Sequence, residues 1–332
     1  MKALLALSLC LIAGCKTKPS DGATNAASGE ADSDDKPSAT QAASTKLNAY
    51  VHCLNDFTND VFKGRHTWLE QFAKGPNPKQ VARGSLYGPS SLDATKKCAD
   101  ELGAAKALTP SLPAIEKAGD AYLAAIVELQ PLTVKLHDYF DQGNYKDDKL
   151  ALAIELHPKL MAAYEKFMPA NRALSAEVDK LEDRVSADQL AEVEKTEGKK
   201  LYWHHKRMLI DAKKLVGIAG DANTPFEIKD PAALQASVAT FERDTKELLD
   251  YYKANKEELE KKSMTYWTIE SSLTAFLKDS KELMRRNRDK VAFSSGEIIT
   301  IDANNAESVE GHPARVIRAY NSLINDSNRL RF

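Results

Sequence analysis

Apolar residues recur every three or four positions along almost the whole chain, and hardly any stretch alternates with a period of two. That spacing brings one stripe of a helix inward, whereas a strand needs alternate residues inward, so the chain is committed to helices. Leu47, Tyr50, Leu54, Phe57, Val61, Trp68 and Phe72 mark a first long helix. Gly75-Pro76-Asn77-Pro78 ends it, and a Gly/Pro/Ser-rich loop runs on to about Ser91. A shorter helix carries Cys98 and stops before Pro110. Leu112, Ile115, Tyr122, Ile126, Leu129, Leu136 and Tyr139 give a third, broken by Gly143-Asn144. The fourth follows Leu150, Ile154, His157, Met161, Tyr164 and Met168, then resumes through Leu174, Val178, Leu181 and Val185. Ser186-Ala187-Asp188-Gln189 has the form of a capping box, which predicts that a fifth helix opens there, with Leu190, Val193, Leu201, Met208, Ala212 and Leu215 inward. Asp230-Pro231 opens a sixth, Asp as N-cap and Pro at the first helical position. A seventh is predicted from Ser263, with Ile269, Leu273, Phe276 and Leu283 inward, and Pro313 to Leu330 make the last.

Pro131, Pro158 and Pro169 fall inside these patterns, and each removes a backbone donor, so kinks or breaks are predicted there. Glu297-Ile298-Ile299-Thr300-Ile301 reads as a short strand or an extended loop, but one strand makes no sheet. The expected fold class is therefore all-α: an elongated antiparallel bundle of about seven or eight helices over residues 46–332, preceded by a disordered tether.

The N-terminus has a different character. Lys2 precedes an apolar run from Ala3 to Ala13, too short to span a bilayer but suited to a signal peptide over residues 1–14. The run ends in Ile12-Ala13-Gly14-Cys15, the form of a lipoprotein cleavage site, which makes Cys15 the expected lipidation position and palmitate one of its acyl chains. Cys10 is the rival, but Leu9 before it is too bulky for the cleavage site. Residues 16–45 contain no Val, Ile, Leu, Met, Phe, Trp or Tyr, so nothing offsets the entropy of ordering them. With Cys15 they form the expected tether, spanning roughly 30 Å as a flexible coil. Lys16, where an Asp signals inner-membrane retention in enteric bacteria, favours the outer membrane by analogy.

Once the signal and anchor cysteines are set aside, Cys53 and Cys98 remain, an even pair expected to form a disulfide in an oxidising compartment. The net charge of −2 is spread evenly, which argues against a nucleic-acid partner.

Three stretches resemble the YiiG family, bacterial lipoproteins built around a helical domain of unknown function. They are Lys46-Leu47-Asn48-Ala49-Tyr50-Val51 with Cys53-Leu54-Asn55; Asp138-Tyr139-Phe140 followed by Asn144-Tyr145-Lys146-Asp147-Asp148; and Tyr320-Asn321-Ser322-Leu323-Ile324-Asn325. They bracket residues 46–332 and imply a helical lipoprotein domain, while naming no activity, cofactor or ligand. Tyr50, Asn55, Tyr139, Tyr145, Asp147, Asp148, Tyr320 and Asn321 are the positions that carry this likeness.

No zinc-protease, hydrolase-elbow, P-loop or EF-hand signature occurs, so no catalytic residue is nominated and no cofactor is expected. His204 and His205 are adjacent in a predicted helix and point about 100° apart, so they do not readily share one metal. His137 and His157 sit on consecutive helices with Asp138 and Glu155 nearby in sequence, the pattern of a metal cluster if those helices pair. Histidines at the core boundary are the plainer reading. The turn holding Tyr139, Phe140, Tyr145, Asp147 and Asp148 suits a partner or a cationic ligand, or equally a capped helix start. Lys281, Arg285, Arg286, Arg288 and Lys290 suit anionic headgroups, or simply the negative end of a helix. The expectation is thus a lipid-anchored, periplasm-facing binding or scaffold module of the cell envelope. Its partners would be the membrane through lipid, and a protein or small molecule. A metal-binding protein or metal-dependent enzyme is the alternative.

Overall fold

The computed structural model describes residues 39–220, 228–261, 267–303 and 305–330. Cys15, the signal segment, most of the expected tether and Phe332 lie outside them. The described residues form ten α-helices, three short 3₁₀ turns and no strand, so the chain is all-α. None of these helices is long and apolar enough to cross a membrane. The chain divides into two compact units at Val185/Ser186.

The first unit holds α1 (Ala39–Phe72), α2 (Thr95–Ala107), α3 (Pro113–Asp141) and the part of α4 (Ala151–Glu197) up to Val185. α1 starts at Ala39, inside the segment expected to be tether, and the small side chains Ala42, Ala43 and Ser44 are buried there. α2 returns antiparallel along α1, with Lys97 paired to Asp56, His52 to Glu101, and a Cys53–Cys98 disulfide between them. α3 then runs parallel to α1. Lys46 bonds Glu116 near their starts, Tyr50 fits against Gly119, and Trp68 meets Phe140 near their ends. α4 comes back antiparallel to both, through Trp68–His157, Tyr122–Phe167 and Thr58–Asn171.

Pro131 lies within α3, and Pro158 and Pro169 within α4, yet both helices run on through them. All three prolines are exposed, so the carbonyl each one leaves unpaired faces water instead of the core. Nor does Ser186 open a new helix. Val185 and Ser186 are buried within α4, where there is no helix end for the hydroxyl to cap, and the helix continues to Glu197. Gly198 ends it at φ 79, its N–H bonded to Glu194, and α5 (Leu201–Gly220) follows.

In the second unit α5, α6 (Pro231–Ala254), α8 (Trp267–Arg288) and α10 (Pro313–Ser327) close a ring: α5 packs on α6, α6 on α8, α8 on α10 and α10 on α5. α5 and α6 are antiparallel, as are α8 and α10. His204 meets Tyr251, Phe241 meets Phe276, and Phe276 meets Tyr320. Asp230 caps α6 as expected, accepting from Ala233 N at 2.9 Å. The short α7 (Lys256–Lys261) joins α6 towards α8, and the predicted start of that helix at Ser263 lies outside the described residues. Residues 297–301 are not a strand. They belong to α9 (Ser295–Asp302), which Ser294 and Glu297 start as a capping box, a local signal that outweighs the β-branched isoleucines. Ile298 and Ile299 are exposed, so no sheet neighbour or core recruits them.

Candidate functional site

The aromatic and acidic motif of the sequence marks the turn between α3 and α4. Gly143, at φ 73, ends α3, and a 3₁₀ turn over Asn144–Lys146 leads to Lys149 and Leu150 at φ 56 and φ 68. Two successive non-glycine residues in the left-handed region are strained. The burial of Leu150 and the work of Asp148 hold them there. Asp148 accepts from Ala151 N at 3.3 Å and Leu152 N at 3.2 Å, capping α4, and also from the Tyr139 hydroxyl. Burial alone would raise its carboxyl, but these donors outweigh burial and lower it. Both aspartates are exposed, and Asp148 serves as the helix cap.

Tyr145 is buried and stacks on Phe140 with centroids 5.3 Å apart, and Phe140 packs against Trp68, Phe72 and Tyr139. Over this aromatic base lies the loop after the 3₁₀ turn Pro78–Arg83. Its tip is pinned. The Gln71 amide accepts from Tyr87 N at 2.8 Å and donates to Tyr87 O at 3.0 Å. Gly88 lies so close to α3 that a Cβ there would sit 2.8 Å from Leu136 O. His137 Nδ1 donates to Pro89 O at 3.2 Å. The result is a cavity of about 330 Å³ lined by Tyr87, His137, Phe140, Asp141, Tyr145 and Lys146. Tyr87 keeps 63 % of its surface exposed although its backbone is fixed on both sides. An aromatic ring, an imidazole, a carboxylate and an ammonium share one small cleft, the mixture that holds a ligand by face contact and by edge hydrogen bonds.

The other histidines named from the sequence, His157, His204 and His205, are committed to packing. His157 Nδ1 accepts from Trp68 Nε1 at 3.0 Å, and burial lowers its pKa, so the ring is the neutral acceptor that the buried indole requires. His204 lies between Trp203 and Tyr251, and His205 is buried, which pushes it down to about 3. His137 and His157 belong to the first unit and His204 and His205 to the second. Among the described residues no three His, Cys, Asp or Glu side chains gather in a way that could hold a metal ion. Of the other motif positions, Tyr50 and Tyr320 are buried, Asn321 is half-buried and Asn55 is exposed.

Two clusters escaped the sequence. The Gln71–Tyr87 clasp lies in a loop, where no periodicity reports a contact. The second is a charged knot between α5 and α6. Arg207 donates through Nε to Asp244 Oδ2 at 2.6 Å and pairs with Glu247 at 3.0 Å, while Arg243 Nε donates to Asp244 at 2.8 Å. Asp211 shares a hydrogen bond with Asp244. Burial, then that bond, raises Asp211 to about 6. Burial would also raise Asp244, but hydrogen bonds from Arg207, Asp211 and Arg243 overcome it and hold this carboxyl far below the usual range. Only the spacing of Arg207 and Asp211, four apart on one helix, hinted at this knot.

Residues 41–329 match the model of a family described as "Protein of unknown function (DUF3829)". Over 292 residues the chain is 27 % identical to "Uncharacterized protein YiiG" of Escherichia coli (strain K12), covering 86 % of this chain and 78 % of that protein. No solved structure matches. A match across nearly all the described residues places the chain in the DUF3829 family.

Proposed function

We propose that this member of the DUF3829 family is a lipid-anchored lipoprotein of the cell envelope, facing the periplasm, that acts by binding a small ligand in the Tyr87 cavity rather than by catalysis. The anchor reading rests on the apolar run Ala3 to Ala13 ending at Gly14-Cys15, and Lys16 favours the outer membrane. A bridged Cys53–Cys98 pair suits an oxidising compartment. The observation that carries the binding reading is Tyr87, an exposed aromatic whose backbone is clamped by Gln71 at the mouth of a cleft holding His137, Asp141 and Lys146. Fixing the backbone beneath an exposed ring in advance lowers the ordering cost of binding.

Two measurements test the proposal. The Cys15→Ala chain should incorporate no radiolabelled palmitate. A thermal-shift screen of amino sugars, short peptides and glycerophosphates should yield a compound whose shift disappears in Tyr87→Ala while the fold, read by near-ultraviolet circular dichroism, stays intact. Palmitate incorporation without Cys15 would refute the anchor. A screen with no shift, or with shifts that persist in Tyr87→Ala, would refute the site.

A further inference from the structure

The second unit contains a cavity of about 580 Å³, within the size range of small-molecule sites. Its apolar lining includes Ile228, Leu283 and Phe293, all buried, together with Val291, which is 53 % exposed. Arg286 and Lys290 also line it, and among the described residues no carboxylate does.

Arg286 is held in place. Nη2 donates to Glu297 at 2.6 Å, Nη1 to Ala292 O at 3.4 Å, and the guanidinium lies 4.2 Å from the centre of the Phe293 ring. Gly311, at φ 72, allows this fit, since a Cβ there would come within 2.8 Å of Arg286 Nε. Beyond the two N–H groups so engaged, the guanidinium has others to offer. Lys290 has no acidic partner among the described residues and ends α8 at φ 52, a conformation glycine adopts more readily. Next to Gly311, the His312 Nδ1 accepts from Ala314 N, so Nε2 carries the proton, and it is buried without an acceptor.

The rest of the basic cluster is neutralised. Lys281 pairs with Glu242, Arg285 with Glu282 at 2.5 Å and Arg288 with Asp289 at 2.7 Å. A flat anionic surface would be met by a field of unpaired cations, and this helix end does not present one. Arg286 is itself paired with Glu297, so the uncompensated positive charge at the cavity is that of Lys290, beside an apolar lining. We propose that the cavity binds a single-chain amphiphilic anion, with a carboxylate or phosphate head at Arg286 and Lys290 and a hydrocarbon chain against Ile228, Leu283 and Phe293. This site lies in a different unit from the Tyr87 cavity and stands independently of it.

The test is isothermal titration of the full chain carrying Cys15→Ala, with each amphiphile below its micellar concentration. The probes are dodecanoate, dodecyl phosphate, dodecyltrimethylammonium and butyrate. Both dodecyl anions should bind with one-to-one stoichiometry, and the cation of equal tail length should bind at least about tenfold more weakly, as should butyrate. Lys290→Glu and Val291→Asp, both at exposed positions, should each weaken the dodecyl anions about tenfold, while Lys281→Gln and Tyr87→Ala leave them unchanged. Tighter binding of dodecanoate would assign a free fatty acid, and tighter binding of dodecyl phosphate a lysophospholipid-type head. Equal affinity for the cation, equal affinity for butyrate, or indifference to Lys290→Glu and Val291→Asp would overturn the proposal.

Discussion

Replacing Asp211 with asparagine should stabilise the protein at neutral pH, and the gain should disappear in acid. Burial and the bond to Asp244 raise the Asp211 carboxyl from 3.8 to about 6. In that state Asp211 carries the proton and donates it to Asp244, which the neighbouring arginines keep ionised. Between these two values the folded chain binds more protons than the unfolded chain, so this group's contribution is full below about pH 4 and is lost as pH rises through about 6. A shift of about two units corresponds to about 3 kcal/mol. Asparagine supplies the donor at every pH, so Asp211→Asn should be more stable than the native chain by up to about 3 kcal/mol at about pH 7.5 and equal to it near pH 4. His157, His204, His205 and His312, all with lowered pKa, act with the opposite sign and weaken the fold as pH drops below their unfolded value of 6.5. They are common to both proteins, so the difference between the two urea denaturation curves isolates Asp211. A pH-independent offset, or a variant less stable than the native chain at neutral pH, would refute the shared-proton reasoning.

Three further outcomes follow from the packing. Lys46 is fully buried against Glu116, so Glu116→Ala should cost about 3–5 kcal/mol in chemical denaturation, whereas Lys46→Met should be close to neutral because Glu116 still accepts from Leu112 N and Ser111. Reducing Cys53–Cys98, which closes a 45-residue separation, should lower stability by about 4 kcal/mol, read as a lower urea midpoint with dithiothreitol than without. In Gly119→Ala the new Cβ would stand 2.5 Å from the Tyr50 ring, so a loss of about 1–3 kcal/mol is expected by thermal melting, and Tyr50→Leu in the same chain should recover part of it.

The three-and-four spacing located most of the helices because it records which face is buried, and that is a property of the chain alone. Residues that work against the local pattern were harder to read. Ser186 to Gln189 carry the letters of a helix start, but capping requires an exposed end, and Val185 is 1 % exposed within a continuing helix. Ile298, Ile299 and Ile301 favour a strand in isolation, yet Ser294 and Glu297 had already fixed a helix start three residues upstream. At the turn between α3 and α4 the residues were legible and their division of labour was not. Asp148 caps, Tyr145 packs, and the exposed ring beside them is that of Tyr87, some fifty residues earlier in a loop that carries no period. The direction of α3, parallel to α1, follows from the expected antiparallel alternation of consecutive helices, and contacts such as Lys46–Glu116 and Trp68–Phe140 bear it out.

The ring of the second unit is closed by its last helix. α10 is the element that joins α8 back to α5, and Val316, Tyr320, Leu323 and Ile324 are the side chains it buries in doing so. A polypeptide made from its N-terminus therefore carries α5, α6 and α8 as an open layer until α10 has emerged. During that interval the faces that will receive α10 are sticky and in need of a chaperone. A message cut short before Pro313 would yield a product that never leaves this state, and a quality-control protease could recognise it by the same apolar stripe that completes the finished protein.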